Sequence, residues 1–280
     1  MNLNAVIKKS QSWKVLSKPA IPAAGVFVGV LVGSSLVVPK GGNLFNVLGQ
    51  LVYGAFGTVD NFSESLIYAI PLGLTGLAVA FSYSAGIFNI GCEGQLKDPA
   101  GVFPHSRPVA ATARLGFLIA GSNLHSGLWL FLVMVLVVYC LLFKTTFGFR
   151  VRGVGFNLDG ARYAGINIKR IMVSAMMISG ALAGIAGSVE IMGVHYRLLE
   201  GFSPGYGFDA IAVALLVNLN PIGIIISSLF FGALRNAANS LQIDLGIPVA
   251  FVYIIQGLAI LFVIGSHALP RVVRNIRRSL

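Results

Sequence analysis

The side chains able to do chemistry in this 280-residue chain are few, and they stand at the edges of long apolar runs. Asn89, Glu93 and Gln95 close one run in company with Gly91 and Gly94. Asp209, Asn218, Asn220 and Gln256 mark others. Carboxylates and amides beside hydrocarbon are costly unless they face a cavity or a partner. These residue types therefore suit hydrogen bonding to a polar solute along a pathway. Glu93 carries that reading best, because two amides and two glycines accompany it, while each of the others fits a satisfied interhelical hydrogen bond equally well. Catalytic patterns are missing: no Gly is followed by Lys, so no phosphate-cradling loop exists, and there is no His-Glu-x-x-His and no Cys-x-x-Cys. His105, His125, His195 and His267 are isolated and read as interfacial, and Cys92 and Cys140 define neither a disulfide framework nor a metal site. No catalytic residue, metal or cofactor is expected.

The elements that must position these groups follow from composition. Charged residues make up 10% of the chain, against ~25% for a soluble domain. Uncharged windows dense in Leu, Ile, Val, Ala and Phe run over 19–39, 65–92, 115–143, 171–189, 210–234 and 245–270. Each is long enough to cross ~30 Å of hydrocarbon as a helix. The fold class is all-α: a polytopic transmembrane helix bundle forming one membrane domain. Its parts are N-terminal helices at 19–96, an extramembrane Pro-rich loop at 97–126, and C-terminal helices at 127–270. A basic tail at 271–280 completes it.

The net charge of +11 follows the spans. Lys8, Lys9, Lys14 and Lys18 precede the first window, and Arg271, Arg274, Arg277 and Arg278 follow the last. Between them stand Lys144, Arg150, Arg152, Arg162, Lys169 and Arg170, with Asp159 the sole acid among all three clusters. Basic clusters against span ends mark cytoplasmic segments. Both termini and the 144–170 loop are thus expected in the cytoplasm, in reach of anionic membrane lipid. No nucleic-acid motif accompanies the charge. Residues 21–38 are span-length with no clear cleavage site after them, so the N-terminus does not read as a removable signal.

Counting crossings from a cytoplasmic N-terminus delivers the basic 144–170 loop to the wrong side. Segment 41–59 does not repair the count, because Gly41, Gly42, Asn43, Gln50 and Thr58 make it interfacial or re-entrant in character. In the C-terminal half the count closes only if 210–234 is split at Asn218-Leu219-Asn220-Pro221 into two short crossings, about 205–218 and 221–235. Proline after two Asn is a strong break, and interrupted helices are tolerated where free backbone faces protein or a cavity. The Gly180-x-x-x-Gly184 step, with Gly187 a turn on, is expected to serve close packing inside the bundle. Within 144–170, Asn157 or Asp159 is placed to cap a short helix ending at Gly165.

The segment Asn-Ile-Gly-Cys-Glu-Gly-Gln at 89–95 resembles the signature of ATP-binding-cassette permeases for nucleosides, within the group that includes branched-chain amino acid and ribose permeases. The stretch from Gly155 through 161–167 resembles that group's coupling loop, and 194–216, 220–223, 231–235 and 252–258 are similar to its later motifs. The resemblance implies a multi-pass plasma-membrane importer subunit. Its partners would be an ATP-binding subunit, a second homologous permease and an extracytoplasmic substrate-binding protein or lipoprotein. It implies that Asn157, Ala161, Arg162 and Gly165 lie in the helix receiving ATPase motion, and that Asn89, Glu93 and Gln95 line the path.

The chain departs from the group at two places. Members carry several more helices between the Glu-Gly-Gln signature and the loop that begins here at Lys97, which is where the crossing count fails. An internal deletion removing an odd number of crossings, most simply three, accounts for both. Val217-Asn218 also replaces the usual Gly and polar or basic residue at the break. The alternatives to a working importer subunit are a non-transporting permease fragment and an ATPase-independent secondary transporter.

Overall fold

The computed structural model describes residues 24, 27–35, 43–87, 89, 108–119, 121–198, 205–245 and a few positions between 253 and 261. Glu93, Gln95 and Gln256 lie outside these residues, as do both basic terminal clusters. The described elements are α1 (Leu44–Phe56), α2 (Val59–Ser84), α3 (Gly127–Lys144), α4 (Thr146–Phe156), α5 (Leu158–Tyr163), α6 (Ile168–Glu190), α7 (Tyr206–Leu216) and α8 (Pro221–Leu245). A π turn, Ile191–His195, extends α6, and a 3-10 turn at Ala111–Ala113 interrupts the loop before α3. Helices α2, α3, α6 with its π turn, and α8 are long and apolar enough to cross a membrane. Helix α1, with 13 residues, spans only about 20 Å and is too short to do so.

Helix α2 is the axis. It packs against α8, α6, α7, α3, α4 and α1, and every residue from Ala69 to Ser82 is buried. A helix apolar all round lies in a protein core or in lipid, and here it is protein that surrounds it. The close approach of its neighbours depends on missing side chains. A Cβ on Gly232 of α8 would sit 2.6 Å from the Ser65 carbonyl oxygen and 2.7 Å from the Ala69 nitrogen. Gly73 faces the Phe131 ring of α3 in the same way, and Gly76 faces Val213 and Ile224 of the α7–α8 pair. Asn236 of α8 donates to the Gly54 carbonyl at 2.9 Å and the Asn61 carbonyl at 2.7 Å, tying α1, α2 and α8 together.

Helices α2 and α3 run parallel. Gly73 meets Phe131 near the start of α3, and Asn123, just before α3, donates to Glu64 in the second turn of α2 at 2.9 Å. At the other end Gly155, just after α3 and within α4, lies against Ser84 and Gly86. Ile87 and Pro108 therefore lie at opposite ends of the bundle.

The 210–234 window is split where the sequence indicates, but not into two short crossings: α7 has 11 residues, too few to span, and α8 has 25 and runs on to Leu245. Helices α7 and α8 form an antiparallel hairpin, with Ser227 Oγ donating to the Val213 carbonyl at 2.8 Å. The connection is sharp because Asn218 (φ 52°) and Leu219 (φ 63°) both adopt left-handed backbone, which Asn tolerates and Leu does not favour. Asn220 then caps α8, its Oδ1 accepting from the Ile222 N–H at 3.0 Å, and Pro221 occupies the first helical position.

One packing expectation is corrected. Ala183, Ala186 and Gly187 of α6 are buried, but Gly184 points outward with nothing within 4 Å of an added Cβ. The 180–184 step thus does not form the buried seam of this chain, because the seam follows the next face of the helix.

These contacts separate two glycines of equal helical character. Gly232→Ala should lower the melting temperature of the detergent-solubilised protein by an amount equivalent to about 1–3 kcal/mol, since backbone cannot move aside for the methyl group. Gly184→Ala should leave it unchanged or raise it slightly, through the ~1 kcal/mol helix preference of Ala over Gly.

Candidate functional site

Two polar centres emerge, at opposite ends of α2. The first gathers where α6, its π turn, α7 and α8 meet. Arg235 of α8 and Asp209 of α7 pair at 3.3 Å, with side chains 8% and 14% exposed. The hairpin brings them together across 26 residues. The Arg235 guanidinium also lies 4.7 Å from the centre of the Tyr206 ring, a cation–π contact that a desolvated setting strengthens. Tyr206 is itself buried, and its hydroxyl donates to Glu190 Oε1 at 3.4 Å. His195 Nε2 stands 3.6 Å from the same Glu190 oxygen. Tyr68 of α2 accepts from Asn239 of α8 at 3.0 Å beside this group. Glu190 is 5% and Arg235 7% exposed, so two residues that water would hold outside are inside the protein.

A loop lies over this end. Val109 N–H donates to the Tyr196 carbonyl at 2.8 Å and Leu115 N–H to the Met192 carbonyl at 3.1 Å. The Arg114 guanidinium stacks on Tyr196 at 4.9 Å. His125, in this loop just before α3, is buried against Gly193. Its Nδ1 accepts from the Gly127 N–H at 3.2 Å, as a neutral imidazole does. Burial lowers its pKa below the ordinary 6.5, against the opposing pull of Glu190. Among the described residues no group of His, Cys, Asp and Glu could hold a metal ion.

The second centre is at the other end. Asn157 ends α4 and caps α5, its Oδ1 accepting from the Gly160 N–H at 3.0 Å. Helix α5 stops in a paired C-terminal motif: Gly165 N–H reaches the Arg162 carbonyl and Ile166 N–H the Ala161 carbonyl, both at 3.0 Å. Gly165 takes φ 73°, the left-handed value that this ending requires. Ala161 is buried beneath, whereas Arg162 is exposed and Phe156 and Tyr163 are each 93% exposed. Lys144, Arg150, Arg152, Lys169 and Arg170 belong to the same end, carried by α3, α4 and α6.

The remaining sequence candidates fall between. Asn89 is buried and donates to Ser179 Oγ of α6 at 2.8 Å, while Ser179 donates to the Ala78 carbonyl of α2 at 2.7 Å. Asn218 and Asn220 form the hairpin turn, about 13 Å along the helix from Asp209. Glu190, Tyr206, His195, Arg235 and Asn239 were not singled out by sequence as site residues. The signal available for Glu190 and Arg235 was their place as lone charges bounding the 171–189 and 210–234 windows.

The family model described as the permease component of the branched-chain amino acid transport system matches residues 98–264. The guanosine ABC transporter permease protein NupP of Bacillus subtilis is 27% identical over 342 residues, covering 95% of this chain and 98% of that protein. The glucose ABC transporter permease protein TsgB13 of Haloferax volcanii is 30% identical over 283 residues, covering 86% and 74%. The nucleoside ABC transporter permease protein NupB of Lactococcus lactis is 26% identical over 330 residues, covering 88% and 90%. All three of these alignments are longer than the 280 residues of this chain, so they pass through residues with no counterpart here. No solved structure matches.

The first polar centre yields a test of coupling. Arg235→Gln should destabilise the protein by about 3–5 kcal/mol, by removing the cation of a largely buried ion pair. Asp209→Asn combined with Arg235→Gln should recover part of that loss. A thermal-unfolding double-mutant cycle in detergent measures it, and additive effects would show that the pair is not energetically joined.

Proposed function

The chain belongs to the family of permease components of the branched-chain amino acid transport system, and from that premise we propose the division of labour of an ATP-binding-cassette importer, with this chain as its plasma-membrane permease and a nucleoside as its solute. A separate subunit hydrolyses ATP, and a substrate-binding protein delivers solute on the outer side. A second homologous permease completes the path. The observation that carries this reading is α5: a short helix fixed at both ends by Asn157 and Gly165, with bare aromatic side chains at Phe156 and Tyr163 and basic residues around it. Exposed aromatics of this size on a fixed helix suit docking to a soluble partner. Basic residues at that end favour the cytoplasm, which is where ATP is supplied. The buried Glu190–Tyr206 and Asp209–Arg235 contacts then belong to the outer half.

The solute follows from the nucleoside relatives, which align over 95% and 88% of this chain. A ribose ring and base offer hydroxyls, amides and a flat apolar face. Among the sequence candidates, Glu93, Gln95 and Gln256 carry matching donors and acceptors, whereas Asn89, Asp209 and Asn220 make contacts within the chain and Asn218 forms the hairpin turn. Mechanistically, closure of the ATP-binding subunits would press on α5 and bias the bundle between outward- and inward-facing arrangements, each with its own affinity for the solute.

A second reading rests on the parallel pair α2 and α3. If the return between Ile87 and Pro108 needs helices that this chain lacks, the chain is a permease-derived fragment that inserts without transporting. Uptake of labelled guanosine decides between them, in cells without their own nucleoside permease but supplied with the partner subunits. Uptake by the 280-residue chain is the result expected of an importer subunit. Uptake only after the relatives' additional helices are inserted following Leu96 would establish the fragment reading, and uptake by neither would defeat the nucleoside assignment.

A further inference from the structure

The end of α2 and the end of α4 meet backbone to backbone. Helix α2 closes in a paired C-terminal motif, with Gly86 N–H donating to the Tyr83 carbonyl at 2.9 Å and Ile87 N–H to the Ser82 carbonyl at 3.1 Å. Gly86 supplies the left-handed residue that the motif needs, at φ 77°. Gly155, next to last in α4, lies directly on this motif. A Cβ on Gly155 would stand 2.9 Å from both the Gly86 nitrogen and the Ser84 carbonyl carbon, and one on Gly86 would stand 3.2 Å from the Gly155 Cα. No side chain separates the two helix ends, so neither can press toward the other without displacing it.

What lies on each side gives the contact its meaning. Two residues beyond Gly155 is Asn157, the shared cap of α4 and α5. Three residues beyond Gly86 is Asn89, hydrogen-bonded to Ser179 of α6, which in turn bonds the Ala78 carbonyl. A series of contacts thus runs from the exposed helix α5, across one glycine pair, to the end of α2, whose Ala78 carbonyl is bonded through Ser179 to the buried amide of Asn89. Interfaces this tightly packed move as units and do not deform gradually.

We infer that Gly155 and Gly86 are positioning residues for transport, the joint through which displacement of α5 enters the central helix and reaches Asn89. The inference rests on the reading of α5 as the docking helix for the ATP-binding subunit. The joint makes no contact with nucleotide and acts only by fixing where α4 meets α2. Helix α4 contains its own control. Gly153 is two residues away, and a Cβ there would meet nothing nearer than Ile166 at 3.9 Å.

The test is hydrogen exchange on the importer complex purified through a tag on this chain, with and without ATP plus vanadate. The reporters are the amides of Ala85, Gly86 and Ile87, which close α2, and those of Gly160 to Gly165 in and after α5. In the unaltered chain and in Gly153→Ala, nucleotide should change exchange at both places, by about fivefold or more at 85–87. In Gly155→Ala the change at 160–165 should persist while that at 85–87 is lost. A nucleotide response at 160–165 without one at 85–87 in the unaltered chain overturns the inference, as does an equal response at 85–87 in Gly155→Ala. If Gly155→Ala does not assemble, the unaltered chain alone decides by the same criterion. No copurifying ATP-binding subunit, and no response at 160–165, would instead overturn the docking role of α5 on which the inference depends.

Discussion

From Ala69 to Ser82 helix α2 has no free face, and much of the described structure packs around that stretch. Its middle turns carry Leu72, Leu74, Leu77 and Phe81, all fully buried, with Gly73 and Gly76 where neighbours approach most closely. In a bilayer lipid tails are as apolar as leucine, so hydrophobicity alone gives helices little reason to associate. Close packing through small residues and hydrogen bonds between helices supply the difference. Gly232 against the α2 backbone, Asn236 on the carbonyls of Gly54 and Asn61, and Ser179 on the carbonyl of Ala78 are the contacts that do so here. They tie α1, α6 and α8 to one axis.

That axis links two ends of different character. At one end, charges that a membrane would reject are held inside protein, with Arg235 between Asp209 and the Tyr206 ring and Glu190 beneath Tyr206 and His195. At the other, charges are plentiful and exposed, and a capped helix presents two aromatic side chains to solvent. A protein that must couple an aqueous event on one side of a membrane to solute handling on the other requires this asymmetry, together with a stiff element between its ends.

Much of this was legible in the sequence, for identifiable reasons. The hairpin turn at 217–220 announced itself because Asn tolerates left-handed backbone and Pro begins a helix but cannot continue one. Asn157 and Gly165 bounded α5 by the same capping chemistry. Other features depend on tertiary placement, which spacing does not encode. Asp209 and Arg235 look like unrelated window edges until the hairpin folds them together. The 180–184 glycine step could have faced either way on α6, and the motif contains nothing that selects the face. The contact of Gly155 with Gly86 joins residues 69 apart in the chain, each ordinary in its own surroundings.

The central claim is that one axial helix joins a cytoplasmic, basic docking end to an outer end that buries its charges. Its most direct test is sidedness of labelling in right-side-out membrane vesicles, with Cys92 and Cys140 replaced by Ser and single cysteines introduced as Thr112→Cys and Tyr163→Cys. A membrane-impermeant maleimide should label the cysteine at 112 in intact vesicles and the one at 163 only after permeabilisation. Labelling of both from outside would contradict the account, because α2 would then not connect opposite faces of the membrane. The reverse pattern would contradict it equally, by placing the docking helix where no ATP-binding subunit could reach it.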